Sequence, residues 1–249
     1  MEAPAHAAQG WLALVATPIG NLEDLTLRAL RVLREADLIA AEDTRRTLRL
    51  CQHFEIRAPV VAYHAFNEHR RTAELLDKVA AGQRVAVLSD AGTPALSDPG
   101  FLLVRAALAV GLEPRVVPGV SSLTFAVVAA GLPVDRFVFA GFPPVKPGRR
   151  QRFLTELAGL KMTVFLFEGP HRIGRLLREI ASVSGPLTRV AVIREATKLH
   201  EECVRGAVAE VQASRGDADW RGECVVAVDW REGPVAAEEE SDTGGKGEL

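Results

Sequence analysis

Ser89-Asp90-Ala91-Gly92-Thr93-Pro94-Ala95-Leu96-Ser97-Asp98-Pro99-Gly100 stands between an apolar run, Val85 to Leu88, and a second run, Phe101 to Val110, with helical periodicity. The first run reads as a buried strand and the second as a helix. A strand that ends in small residues, Gly and Pro leaves backbone N–H and C=O groups open at the carboxyl edge of a sheet. Open α/β sheets bind ligands at that edge, and small side chains let a ligand come close to the backbone. The competing reading is a plain tight βα turn. Similar loops elsewhere weigh against it.

Working outward, strands and helices alternate. Leu12–Ala16 is a strand ending in Thr17-Pro18-Ile19-Gly20-Asn21, followed by a helix from about Thr26 with Asp24 or Leu25 near its cap. Leu38–Ala41 is a short strand ending in Glu42-Asp43-Thr44, before a helix over Arg45–Cys51. Val60–Tyr63, a helix over Glu68–Ala81, Val85–Leu88, a helix to Val110 and Arg115–Val117 follow. Five βα steps predict a mostly parallel sheet covered on both faces. After a helix from Ser121 to about Ala130 the pattern resets. Phe137–Gly141, Met162–Phe167, Val190–Arg194, Glu201–Arg205 and Cys224–Trp230 read as strands, and Arg150–Ala158, His171–Val183 and Val208–Ser214 as helices. Only six residues separate Arg194 from Glu201, which fits a hairpin rather than a crossover. The expectation is two α/β domains: residues 11–120 with a mostly parallel five-stranded sheet, and 121–232 with a mixed five-stranded sheet. An interdomain cleft is then the expected ligand site.

Composition supports an ordinary globular chain: 48% of 249 residues are hydrophobic and 25% charged. Residues 1–10 lack the basic and apolar regions of a signal peptide, and no run reaches the ~20 apolar residues of a membrane span. Three unpaired cysteines, Cys51, Cys203 and Cys224, fit a reducing, cytoplasmic setting. No HExxH or CxxC pattern occurs, so no metal site is expected. Net charge is −2, but residues 233–249 alone carry −4, leaving +2 for the rest. That acidic tail and residues 1–10 are expected to be disordered.

Four strand-end loops carry candidate chemistry: Thr17–Asn21, Glu42–Arg46, Ser89–Pro94 and Pro118–Ser122. None matches G-x-G-x-x-G or a P-loop, so the ligand implied is one held by backbone groups, hydroxyls and a carboxylate. Asp90 suits a ribose or an ammonium group. Thr93, Ser121 and Ser122 suit a carboxylate, the serines lying at a helix N-terminus. Either serine serves equally as a helix cap.

These residues carry a resemblance. Val15 to Asp24, Ala41-Glu42-Asp43-Thr44-Arg45, Ser89 to Pro94 with Ser97-Asp98-Pro99-Gly100, and Pro118-Gly119-Val120-Ser121-Ser122 resemble the tetrapyrrole methylase superfamily. The likeness is closer to its ribosomal small-subunit RNA methyltransferase I branch. Phe167-Glu168-Gly169-Pro170-His171-Arg172-Ile173, Arg194 to Glu202 and Gly222-Glu223 continue it in register. The branch usually has a small polar residue where this chain has Gly169. The resemblance implies S-adenosylmethionine in the interdomain cleft, a homodimer, and 2′-O-methylation of a cytidine in the decoding centre of 16S rRNA within the small subunit. The candidate cofactor residues are then Pro18, Gly20, Ser89, Asp90, Ala91, Gly92, Thr93, Ser121, Ser122, Phe167 and Glu168.

That cofactor has no phosphate, which suits loops without an anion cradle. Methyl transfer to a ribose hydroxyl gains much from alignment, where effective molarity supplies about 7–11 kcal/mol. A general base helps further. Asp43 is the preferred base, with Lys198 lowering the hydroxyl's pKa; Glu42 and Glu168 are alternatives, and a solvated or ion-paired charge is the competing fate of each. Candidate RNA contacts are Arg45 and Arg46 with Arg49, then Lys146, Arg149, Arg150 and Arg152 in a Pro/Gly loop, then His171 and Arg172. Arg70 and Arg71 beside Tyr63 and Phe66 form a further basic cluster with stacking neighbours. A methylase of a small tetrapyrrole-like substrate and a non-catalytic ribosome-assembly binder are the rival readings.

Overall fold

The computed structural model describes residues 10–215 and 220–232. The expected disordered segments, apart from Gly10, lie outside the described residues. Two compact units form among the described residues: 10–129 together with 194–202, and 130–193 together with 203–215 and 220–232.

The first unit holds strands β1 (Trp11–Val15), β2 (Leu38–Ala41), β3 (Val60–Ala62), β4 (Arg84–Leu88) and β5 (Arg115–Val117). Its helices are α1 (Leu27–Glu35), α2 (Thr44–His53), α3 (Glu68–Ala80), α4 (Phe101–Ala109) and α5 (Ser122–Ala129). The strand order is β3-β2-β4-β1-β5 and every pairing is parallel. Alternation splits the strand side chains between two cores. Trp11, Ala13, Val15, Ile39, Ala41, Ala86 and Leu88 pack with Val32 and Leu33 of α1 and Leu50 and Cys51 of α2. Leu12, Leu38, Ala40, Val85 and Val87 pack with Leu75 and Val79 of α3 and Leu103 and Ala107 of α4.

This split fixes where the sheet opens. The chain leaves β1 and β2 toward the β3 edge over one face, and leaves β3 and β4 toward the β5 edge over the other. All four crossovers therefore share one hand, as parallel βαβ units require. The neighbours β1 and β4 send their following helices to opposite faces, so a topological switch point lies at their carboxyl ends.

The second unit holds β6 (Phe137–Phe139), α6 (Pro147–Gly159), β7 (Thr163–Glu168), α7 (Ile173–Ser184), β8 (Arg189–Arg194), β9 (Glu202–Ala207), α8 (Val208–Arg215) and β10 (Cys224–Asp229). The order is β6-β7-β10-β8-β9, with β6 parallel and β10 antiparallel to β7. The mixed sheet expected from the sequence is present. One expectation fails: residues 146–152 are not a loop. Lys146 is the N-cap of α6 and Pro147 occupies its first turn, where a fixed φ and a missing N–H cost nothing. The start of α1 also differs, since Thr26 caps it by accepting from the Ala29 N–H at 3.0 Å.

One polar cluster is sealed inside this unit. Trp230 is fully buried and its Nε1–H donates to Ser184 Oγ at 2.9 Å. Thr188 Oγ1 lies 2.8 Å from the same oxygen. Removing that oxygen leaves a buried indole N–H without an acceptor. Ser184→Ala is expected to lower unfolding free energy by about 1–3 kcal/mol, read by denaturant titration, while Ser182→Ala on the exposed side of α7 is expected to change it little.

Candidate active site

The loops flanking the switch point are tied to one another by backbone. Thr17 N–H donates to Gly92 C=O at 2.9 Å and Gly92 N–H to Thr17 C=O at 3.0 Å. Gly92 has φ +79°, and a Cβ there would meet Ile19 Cγ2 at 3.3 Å and the Val120 carbonyl oxygen at 3.7 Å. A Cβ on Gly119 would meet Ala16 Cβ at 3.0 Å. The segments around Thr17–Asn21, Ser89–Pro94 and Pro118–Ser122 thus converge. The fourth joins through Asp90, whose Oδ1 accepts the Asp43 N–H at 2.7 Å.

The candidate residues divide by exposure. Ser89, Gly92 and Ser121 are buried; Pro18, Asp90, Ala91, Thr93 and Ser122 are half-buried; Gly20 is exposed. The Ser89 hydroxyl reaches the Gly92 carbonyl at 3.4 Å, so this side chain serves the loop itself. Ala95 (φ +70°) and Ser97 (φ +65°) hold left-handed backbone without being glycine, a strain of about 1–3 kcal/mol each that surrounding structure must impose.

Asp43 is a helix cap. Its Oδ1 accepts the Arg45 N–H at 2.8 Å and Arg45 Nε–H at 3.1 Å, and its Oδ2 pairs with Arg45 Nη2 at 2.8 Å. The Arg45 side chain, with the Arg45 backbone N–H, holds its carboxyl down at about 2. Such a carboxylate is a weak general base at neutral pH, which weighs against the role expected for it. Its neighbour Glu42 differs. Burial and then the Asp90 charge raise its carboxyl, against the Asp90 N–H, Arg46 and His64. Its Oε2 is buried with no hydrogen-bond partner among the described residues. Asp98 is pushed up to about 6 by burial and the Glu42 charge, with Ser89 opposing and Asp90 adding. Sequence reasoning gave Asp98 no role. The one visible signal is a second Asp with Pro and Gly, Asp98-Pro99-Gly100, after Asp90-Ala91-Gly92-Thr93-Pro94.

Lys198 belongs to the turn between β8 and β9 and groups with the first unit. Its stem crosses Gly20, and its Nζ pairs with Glu195 Oε1 at 3.0 Å. Arg45 and Arg46 are exposed on α2; Arg46 Nη1 lies 3.7 Å from Asp90 Oδ2.

In the second unit two expectations are corrected. Glu168 is 2% exposed, and its carboxylate is engaged inside the unit: Oε1 accepts Gly169 N–H at 2.8 Å and Arg172 Nε–H at 2.5 Å, and Oε2 is ion-paired with Arg150 Nη2 at 2.7 Å. Arg150, 1% exposed, also pairs with Glu179, so it does not stand on the surface with Lys146, Arg149 and Arg152, which are exposed. A buried ion cluster of this kind is a structural requirement, since either partner alone would be an uncompensated charge. Phe167 is half-buried against Phe139 and Phe142 at centroid distances of 4.8 and 5.5 Å. His171 is exposed, and the Arg172 side chain is 45% exposed despite its bond to Glu168. Among the described residues no group of three His, Cys, Asp or Glu is placed to hold a metal ion. No described helix is long and apolar enough to cross a membrane.

The family model of Tetrapyrrole (Corrin/Porphyrin) Methylases matches residues 12–212. The chain is 49% identical to "Ribosomal RNA small subunit methyltransferase I" of Synechocystis sp. over 79% of this chain and 71% of that protein. It is 45% identical to the protein of the same name from Thermotoga maritima, over 81% and 90%. Among solved structures, uroporphyrin-III C-methyl transferase from Thermus thermophilus complexed with S-adenyl homocysteine shares the fold, with TM-score 0.63 and 24% identity over 88% of this chain and 97% of that one. Diphthine synthase shares it too, with TM-score 0.67 and 16% identity over 88% and 90%. This chain therefore belongs to the tetrapyrrole (corrin/porphyrin) methylase family, on the side of it formed by the small-subunit ribosomal RNA methyltransferases I.

Proposed function

We propose that this chain is an S-adenosylmethionine-dependent methyltransferase that methylates the 2′-hydroxyl of a cytidine in the decoding centre of 16S rRNA, acting as a homodimer on the small ribosomal subunit in the cytoplasm. The observation that carries the reading is 41–49% identity, over most of the chain, to proteins named for small-subunit rRNA methylation. The complex of a structural neighbour with S-adenyl homocysteine supports the cofactor class.

The residues of the first unit fit such a cofactor. Glu42, Asp90 and Asp98 make the sheet edge acidic, which suits a sulfonium and an ammonium group. Ser121 and Ser122 at the start of α5 suit a carboxylate. Gly92 keeps the β1 and β4 loops close enough for backbone groups to line the crevice. When bound, the cofactor supplies an electrophilic methyl group. This chain's own part is to orient the ribose hydroxyl and take its proton. Glu42, with one buried oxygen unengaged, replaces Asp43 as the proposed base, and Lys198 favours the ionised hydroxyl. Arg45, Arg46, Lys146, Arg149, Arg152, His171 and Arg172 are the proposed phosphate contacts.

The direct test is methyl transfer from labelled S-adenosylmethionine to unmodified small subunits, followed by nucleoside analysis. Label in 2′-O-methylcytidine is expected; absence of label with cofactor binding intact rejects the rRNA reading.

A base must be ionised to act, so kcat/KM is expected to rise with pH along a limb that lies above the ordinary carboxylate range, because burial and then the Asp90 charge raise the Glu42 carboxyl. Asp90→Asn removes the charge that raises the Glu42 carboxyl and is expected to move this limb to lower pH. Glu42→Gln is expected to flatten the limb and lower kcat by about 10²–10⁴. A limb unmoved by both substitutions rejects Glu42.

The three arginines of the first half of α6 are expected to separate cleanly. Arg149→Ala with Arg152→Ala should weaken subunit binding and make the salt dependence shallower by about 0.7–0.9 for each phosphate no longer neutralised, at unchanged melting temperature. Arg150→Ala should instead cost about 3–5 kcal/mol of stability, measured by thermal and denaturant unfolding.

A further inference from the structure

We infer that Gly20 and Glu195 are positioning residues that clamp the Lys198 side chain at the carboxyl edge of the first sheet. The catalytic consequence rests on the methyltransferase reading above; the clamp itself rests on geometry.

Gly20 is where the stem lies. A Cβ there would fall 2.3 Å from Lys198 Cγ, 2.8 Å from Cε and 3.1 Å from Cδ. Three successive parts of the stem touch one bare backbone position. Because Cγ is close to the Lys198 backbone, no swing of the chain's end relieves the overlap. Any side chain at residue 20 must push Lys198 off the Thr17–Asn21 loop.

Glu195 fixes the other end. Its Oε1 lies 3.0 Å from Lys198 Nζ, and the two side chains are only 19% and 27% exposed. The turn that carries them is held in an unfavourable shape. Glu195 (φ +51°) and Thr197 (φ +66°) are left-handed without being glycine, a conformation that surrounding structure must impose. Local bonds keep them so: Lys198 N–H to Glu195 C=O at 2.9 Å, Glu201 N–H to Lys198 C=O at 3.0 Å, and Thr197 N–H to Glu201 Oε2 at 2.7 Å. Arg194 Nη1 closes the turn on the His200 carbonyl at 2.9 Å. The strands on either side belong to the second sheet, yet residues 194–202 group with the first unit. The turn is thus built rigid and seated where its lysine meets the β1 loop. A cation that assists a hydroxyl by its field must be held to within about an ångström, since misplacement by that much costs up to ~100-fold in rate.

The test uses the full chain with Gly20→Ala and, separately, Glu195→Gln. Glu195→Gln keeps the side chain's shape and serves if Gly20→Ala does not fold. First, lysine acylation by an N-hydroxysuccinimide acetate ester is followed by peptide mass spectrometry, with exposed Lys146 and Lys161 as internal references. Lys198 is expected to react slowly in the parent chain and several-fold faster, relative to the references, in each variant. Second, both variants are expected to lower kcat for subunit methylation by about tenfold to a hundredfold, with KM for the subunit little changed. Combined with Lys198→Met, neither is expected to lower it further. Unchanged acylation overturns the clamp. Faster acylation with unchanged kcat, or losses that multiply with Lys198→Met, overturns the positioning role. A parent chain that methylates nothing rejects the methyltransferase reading, and the acylation arm then decides the clamp alone.

Discussion

The reciprocal backbone pair between Thr17 and Gly92, at 2.9 and 3.0 Å, bridges the two strand ends from which the chain departs to opposite faces of the first sheet. At a switch point nothing in the helices covers the strand ends, so the loops there must satisfy their own backbone groups or leave them for a ligand. The Thr17–Gly92 pair fixes the spacing of the β1 and β4 loops. Asp90 then ties the β2 end to the same place by receiving the Asp43 N–H. The left-handed Ala95 and Ser97 are tolerable because this network over-determines the loop.

Within that frame neighbouring carboxylates acquire different chemistry. Asp43 and Glu42 are adjacent in sequence, but Asp43 turns toward Arg45 and the start of α2, while Glu42 turns toward Asp90 and Asp98. One is held as a firm anion and the other is biased toward its proton. The difference comes from one residue of alternation at the end of a strand, and it moves the proposed acid–base role by one position. Asp98 enters the same field from the loop ahead of α4, where Glu42 and Asp90 are its charged neighbours.

The second unit shows the opposite use of charge. Arg150, Glu168 and Glu179 spend their charges on one another beneath the surface, and Arg172 and Arg175 complete the set. Desolvation makes such a cluster costly to break and unrewarding as a ligand site. The exposed Lys146, Arg149 and Arg152 surround it along α6, so adjacent basic residues have unrelated tasks.

By itself the sequence determined the alternation of strands and helices, both five-stranded sheets, and the loops that carry candidate chemistry. Apolar periodicity and Gly/Pro punctuation are local properties, legible residue by residue. Only the tertiary structure decided which charges meet. Arg149 and Arg150 read alike in a run of basic residues, and helical phase alone sends the second inward to Glu168 and Glu179. Lys198 meets Gly20 across 178 positions of chain, a contact no spacing rule encodes. A charge's role depends on its burial and its partner, and both are set by long-range packing.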